Sequence, residues 1–156
     1  MTVRIEGAAG LQAHANQLIG SSDWEPMTFE RIQAFADATG DHQWIHVDRD
    51  RIAKESPFGA PIAHGYLTLS LVAGRFFELI ELAGFDMVIN YGTGKVRFPN
   101  PLKEGDRFRL TIQMGEVTDK GRGWWEARFH ASVEVEGADK PACAAEVLYR
   151  FLPAKG

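Results

Sequence analysis

A single cysteine, Cys143, occurs among 156 residues, so no internal disulfide can form and a thiolate metal centre has no second sulfur ligand. The chain is therefore expected in a reducing compartment, the cytoplasm. No apolar run approaches the roughly 20 residues that span a bilayer. The longest near the middle, from Gly65 to Val72, is interrupted by Thr68 and Ser70 and soon meets Arg75, so no membrane segment is expected. The opening residues, MTVRIEGAAGLQAHANQLIG, lack the basic start and unbroken apolar stretch of a secretory signal, and export is not expected. Basic charge is not in excess either. The 17 Lys and Arg against 21 Asp and Glu leave a formal net charge of −4, which gives no global attraction for nucleic acid or anionic lipid. Repeats of about 20–50 residues and low-complexity tracts are also missing, which removes solenoids and propellers.

What is present matches a soluble globular domain, with 45% apolar and 24% charged residues. The length suits a single domain over residues 1–156, with 1–22 as a peripheral N-terminal segment. Leu11, Leu18 and Ile19 fall at roughly helical spacing ahead of Gly20, which predicts a short helix from Gly7 to Ile19. Thr28 can cap a helix over 28–39, where Phe29, Ile32, Phe35 and Ala36 recur at spacings of three and four before Gly40. Asp48 or Arg49 can open a short exposed helix, and Pro57 and Pro61 prevent its continuation. From His64 or Gly65, GYLTLSLVAGRFFELIELAG is apolar on nearly every side, which predicts a long helix enclosed by other structure. Gly74 inside it costs about 1 kcal/mol relative to alanine, which predicts a close packing neighbour. Beyond Gly84, four alternating segments separated by turn residues predict an antiparallel meander. The fold class is α+β, one long helix against a sheet.

The densest set of reactive side chains is FADATGDHQWIHVD, which holds Asp41, His42, His46 and Asp48 directly after the helix stop. A carboxylate and an imidazole five residues apart across a turn can contact one water, the first orienting it and the second exchanging its proton. Read alone, such a pair is more commonly a turn aspartate and a surface histidine. His42 and His46 lie past the helix stop and no second ligand cluster is evident, so no metal is expected. His64, at a helix start, reads more simply as a packed residue, and Thr68 and Ser70 as hydroxyls bonded back to the preceding turn.

The stretch GD-x-Q-W-I-H-x-D, followed in order by PFGAPIAHGYLTLSL and KVRFPNPLKEGD, resembles the MaoC-like (R)-specific enoyl-CoA hydratases, whose signature is GD-x-N-P-[LI]-H. The GDHQWIH variant is also similar to the nodulation protein N-like branch of that family. The resemblance covers roughly residues 23–152 and implies a hot dog fold, a long helix wrapped by an antiparallel sheet. It implies a homodimer with the acyl-thioester site at or near the interface. Asp41 and His46 fall on the catalytic pair, and Gly65 on the glycine whose N–H faces the thioester oxygen, aided by the helix dipole. Gln43, His64, Lys95 and Arg97 are the substrate-binding candidates, the last two as partners of CoA phosphates unless they are solvated edge charges.

The implied reaction is reversible syn addition of water to trans-2-enoyl-CoA, giving (R)-3-hydroxyacyl-CoA. CoA is part of the substrate and no separate cofactor is expected. Gln43 and Trp44 depart from the usual asparagine and proline, which affects loop conformation and substrate scope without removing a proton-transfer group. A thioesterase would need a carboxylate on the central helix, where Glu78 and Glu81 come late. A non-catalytic acyl-thioester binder is the remaining alternative.

Overall fold

The computed structural model describes residues 2–155. In its first half come β1 (Val3–Glu6), α1 (Gly7–Ala13), β2 (Leu18–Ser21), β3 (Glu25–Pro26), α2 (Phe29–Thr39), α3 (Trp44–Val47) and α4 (Arg49–Glu55). The long helix α5 (Gly65–Leu79) then leads into β4 (Ile80–Ala83), β5 (Phe85–Arg97), β6 (Arg107–Gly121), β7 (Trp124–Val135) and β8 (Cys143–Pro153).

The large sheet is antiparallel, ordered β2-β6-β7-β8-β5, with β3 beside β6. It departs from a simple meander because β5 pairs with β8 and leaves β6 to β7. Side chains alternate as the pleat requires. In β7, Ala127, Phe129, Ala131, Val133 and Val135 are buried, whereas the residues between them lie on the outer face. There, cross-strand ion pairs such as Arg109 with Glu134, at 2.7 Å, and Arg150 with Glu126, at 3.0 Å, line the surface.

Helix α5 packs on the inner face through Leu67, Val72, Phe76 and Leu79. Phe76 is stacked on Tyr149 with ring centroids 4.5 Å apart and meets Phe129 edge-on at 4.8 Å, so one aromatic side chain joins the helix to two strands. Helix and sheet together form the α+β hot dog arrangement. The helix is enclosed on one side only within this chain. Tyr66 and Phe77 stay 73% and 56% exposed. The neighbour expected at Gly74 is also missing, since a Cβ built there meets nothing within 4 Å.

The apolar run does not remain helical to Gly84. Ile80–Ala83 is strand β4, paired in parallel with β1 from Val3 against Ile80 to Glu6 against Ala83. An apolar run is compatible with buried helix or strand, and the distant partner β1 decides between them. The N-terminal helix likewise stops at Ala13; Asn16 takes a positive φ of 61°, and Leu18 and Ile19 belong to β2. Where the N-terminal segment 1–22 was expected to be peripheral, its described residues Ile5, Leu11 and Ile19 lie in the core. Helix α2 follows expectation. Thr28 Oγ1 accepts from the Arg31 N–H at 3.3 Å, and Gly40 closes the helix at φ 77°. Asp48 caps α4 in the same way. The single turn α3 was not foreseen. Among the described residues no helix is long and apolar enough to cross a membrane.

Candidate active site

The left-handed turn at Gly40 ends α2 and delivers Asp41 to the surface of the next loop. One Asp41 carboxylate oxygen accepts the Gln43 N–H at 3.3 Å, which bends the chain into α3. The Gln43 carbonyl in turn accepts the His46 N–H at 3.0 Å. This short turn carries the His46 ring inward, to 6% exposure.

His46 Nδ1 lies 2.6 Å from the Ile62 carbonyl oxygen. A carbonyl only accepts, so Nδ1 carries the proton and Nε2 keeps its lone pair. Burial lowers the pKa of the ring below that of an ordinary histidine; the Ile62 carbonyl opposes this shift and the neighbouring His64 adds to it. The resulting neutral imidazole has one basic nitrogen, as a general base requires. An Asp41 carboxylate oxygen, a His46 ring nitrogen and a His64 ring nitrogen all lie within 4.8 Å of one another. That separation can be spanned by one water bonded to both Asp41 and His46.

His64 precedes α5 and is 2% exposed. Its ring stacks on His46 with centroids 3.7 Å apart and planes 22° apart. Its Nε2–H donates to the Asp41 backbone carbonyl at 2.9 Å. Gly65 is the first residue of α5, and the first N–H groups of a helix have no intrahelical acceptor. A Cβ on Gly65 would stand 2.9 Å from the Phe98 ring, so the close approach of that ring requires glycine there. Beside them opens a cleft of about 340 Å³, lined by His46, Gly65 and Thr68 together with Ile45, Phe58, Ile62, Phe98 and Leu102. A largely apolar cleft lined also by an imidazole and a helix N-terminus suits an acyl chain ending in a polarised carbonyl.

The substrate-binding candidates do not all meet at this cleft. Gln43 is exposed at the head of α3 and shapes the Asp41 turn through its backbone. Buried His64 does not line the cleft, and the bond its ring makes is to protein. Lys95 and Arg97 line a different groove of about 500 Å³ on the outer face of the sheet, with His130 and Glu146. That groove is larger, but His46 and the α5 N-terminus line the smaller cleft, which is the candidate active site. Thr68 and Ser70 bond back to the His64 and Tyr66 carbonyls as their helical positions suggest. His42 turns outward to Asp37 at 2.8 Å, a bond that raises its pKa.

A cation would find Asp41, His46 and His64 grouped, rather than the His42–His46 set considered from spacing. Only one nitrogen of each buried ring is free for it, since the other is bound to a backbone carbonyl. Phe58 and Phe98 were missed by sequence reasoning. Their signal was slight, two phenylalanines beside prolines in PFGAP and RFPNP.

Known proteins resemble this chain in sequence and in fold. The family description "MaoC like domain" matches residues 11–135. The chain is 47% identical over 147 residues to 3-hydroxyacyl-thioester dehydratase Z of Mycobacterium tuberculosis, covering 94% of this chain and 97% of that protein. It is 39% identical over 138 residues to nodulation protein N of Rhizobium leguminosarum, covering 88% and 86%. The solved MaoC-like dehydratase of Rhodospirillum rubrum superposes with a TM-score of 0.72 at 19% identity, covering 91% of this chain and 94% of that one. The chain therefore belongs to the MaoC-like dehydratase family, hydro-lyases built on the hot dog fold.

Proposed function

We propose that the protein is an (R)-specific enoyl-CoA hydratase, adding water to trans-2-enoyl-CoA to give (R)-3-hydroxyacyl-CoA and dehydrating that product in reverse. The observation that carries this reading is the Asp41 carboxylate and a His46 ring nitrogen within 4.8 Å, with His46 sharing a cleft with Gly65, the first residue of α5. Asp41 orients the water and His46 Nε2 accepts its proton as the water oxygen bonds to C3. The C2=C3 electrons move onto the thioester oxygen, where the Gly65 N–H stabilises the enolate. The proton then returns from His46 to C2 on the same face. Loss of a donor of this kind costs about 3–4 kcal/mol of transition-state stabilisation.

A second copy of the chain is part of the proposal. Tyr66 and Phe77 on α5, with Met87, Ile89 and Tyr91 on the edge strand β5, are exposed apolar side chains of the kind that a homodimer buries. The lone, buried Cys143 supports a cytoplasmic setting. Hydrolysis is less well supported. Glu78 pairs with Arg75 at 2.7 Å and Glu81 with Arg4, and neither lines the cleft.

The test follows the loss of enoyl-thioester absorbance with crotonyl-CoA and a longer trans-2-enoyl-CoA, with chiral analysis of the product. (R)-3-hydroxyacyl-CoA should form, and Asp41→Asn and His46→Ala should lower kcat roughly 100- to 10,000-fold. Folded protein that binds both substrates and turns over neither would instead be an acyl-thioester binder.

A further inference from the structure

We infer that His64 is a positioning residue, tying the Asp41 loop to the start of α5 and setting the plane of the His46 ring; this rests on the hydratase reading above. One imidazole touches three separate pieces of the site. Its Nε2–H holds the Asp41 carbonyl at 2.9 Å, one face lies on the His46 ring, and Phe35 packs nearby at 5.0 Å. The His64 backbone is itself pinned, because its carbonyl accepts both the Thr68 N–H at 3.0 Å and the Thr68 hydroxyl at 3.2 Å. The rigid first turn of α5 is thereby connected through His64 to both members of the proton-transfer pair.

The unused ring nitrogen separates this role from packing. His64 Nδ1 is buried without a hydrogen-bond partner. A side chain kept only to fill space between Phe35 and His46 would be better apolar, since an orphaned buried acceptor costs stability and a phenylalanine has none. What an apolar ring cannot supply is the donor to Asp41. Without it the carboxylate is no longer held within reach of a water shared with His46, and misplacement by about 1 Å costs on the order of 100-fold in rate.

Three variants test this. In glutamine the amide nitrogen takes the place of imidazole Nε2, in asparagine that of Nδ1, and phenylalanine offers neither. We expect His64→Gln to keep most of the turnover, and His64→Asn and His64→Phe to lose about 10- to 100-fold in kcat with KM for crotonyl-CoA within about twofold. Amide hydrogen exchange over residues 41–47 should quicken in His64→Asn and His64→Phe but not in His64→Gln, with thermal unfolding showing all three folded. Full turnover in His64→Phe, or a glutamine variant as impaired as the phenylalanine one, overturns the inference. If the wild-type protein hydrates neither enoyl-CoA, the hydratase reading falls and exchange alone decides. Unchanged exchange in His64→Phe then overturns the positioning role, and faster exchange sustains it.

Discussion

His46 donates its Nδ1–H to the Ile62 carbonyl oxygen at 2.6 Å, and this one bond decides which ring nitrogen keeps its lone pair. The histidine comes from α3 and its acceptor from the chain just ahead of α5, so closure of the fold sets the tautomer. Burial of the same ring then lowers its pKa.

That lowered pKa has a definite sign in a pH profile. Hydration needs the neutral ring, so kcat/KM should be level above the ordinary value of 6.5 and fall on the acid side, below it. Stability moves the same way. Between the lowered native pKa and 6.5 the unfolded chain binds a proton that the native ring refuses, so stability is lost as pH falls through that window. Rate profiles and urea titrations across about pH 5 to 7 check both, with His46→Gln expected to flatten the contribution to stability. An acid limb centred above 6.5 would contradict the assignment of His46 as the base.

Gly65→Ala should separate activity from stability. The new methyl group meets the Phe98 ring at 2.9 Å, and Phe98 is 43% exposed, so the ring can move outward. Alanine is the better helix former, and the thermal midpoint should change little. Turnover should fall because the cleft wall and the Gly65 N–H are displaced relative to each other. Adding Phe98→Ala should recover part of the loss, and strict additivity of the two substitutions would argue that the contact is irrelevant.

Replacing Met87 and Ile89 by glutamate places two charges on the exposed edge strand β5. Sedimentation velocity should show a dimer for the wild type and a monomer for the double variant, with unchanged far-ultraviolet circular dichroism. A monomeric wild type would refute the homodimer.

Phe76→Ala should cost about 3–5 kcal/mol, since its ring is 0% exposed and joins α5 to Tyr149 and Phe129. Urea unfolding measures this directly. A loss under about 1 kcal/mol would mean that neighbouring side chains refill the space.

Much of the local structure was legible because its causes are local. Thr28 and Gly40 bracket α2 through a side-chain cap and a left-handed residue, interactions that reach only three or four positions along the chain. The alternating residues of β6, β7 and β8 announced strands with one buried face. Asp41, His46 and Gly65 stood out through the order of their motifs. Errors came where local signals are silent: Ile80–Ala83 continued an apolar run and became a strand because β1 lay beside it.

The sequence by itself determined the helix and strand segments that carry their own caps and periodicity, and it marked the Asp41–His46 loop as the candidate place for chemistry. Only the tertiary structure decided that His64 bonds the Asp41 carbonyl 23 residues away, that Ile62 sets the His46 tautomer, and that Phe98 fills the space left by a missing Cβ at Gly65. It also sent Lys95 and Arg97 to the outer groove. Caps and periodicity act between neighbours in the chain, whereas ring stacking and buried hydrogen bonds act over a few ångströms between residues that only folding brings together.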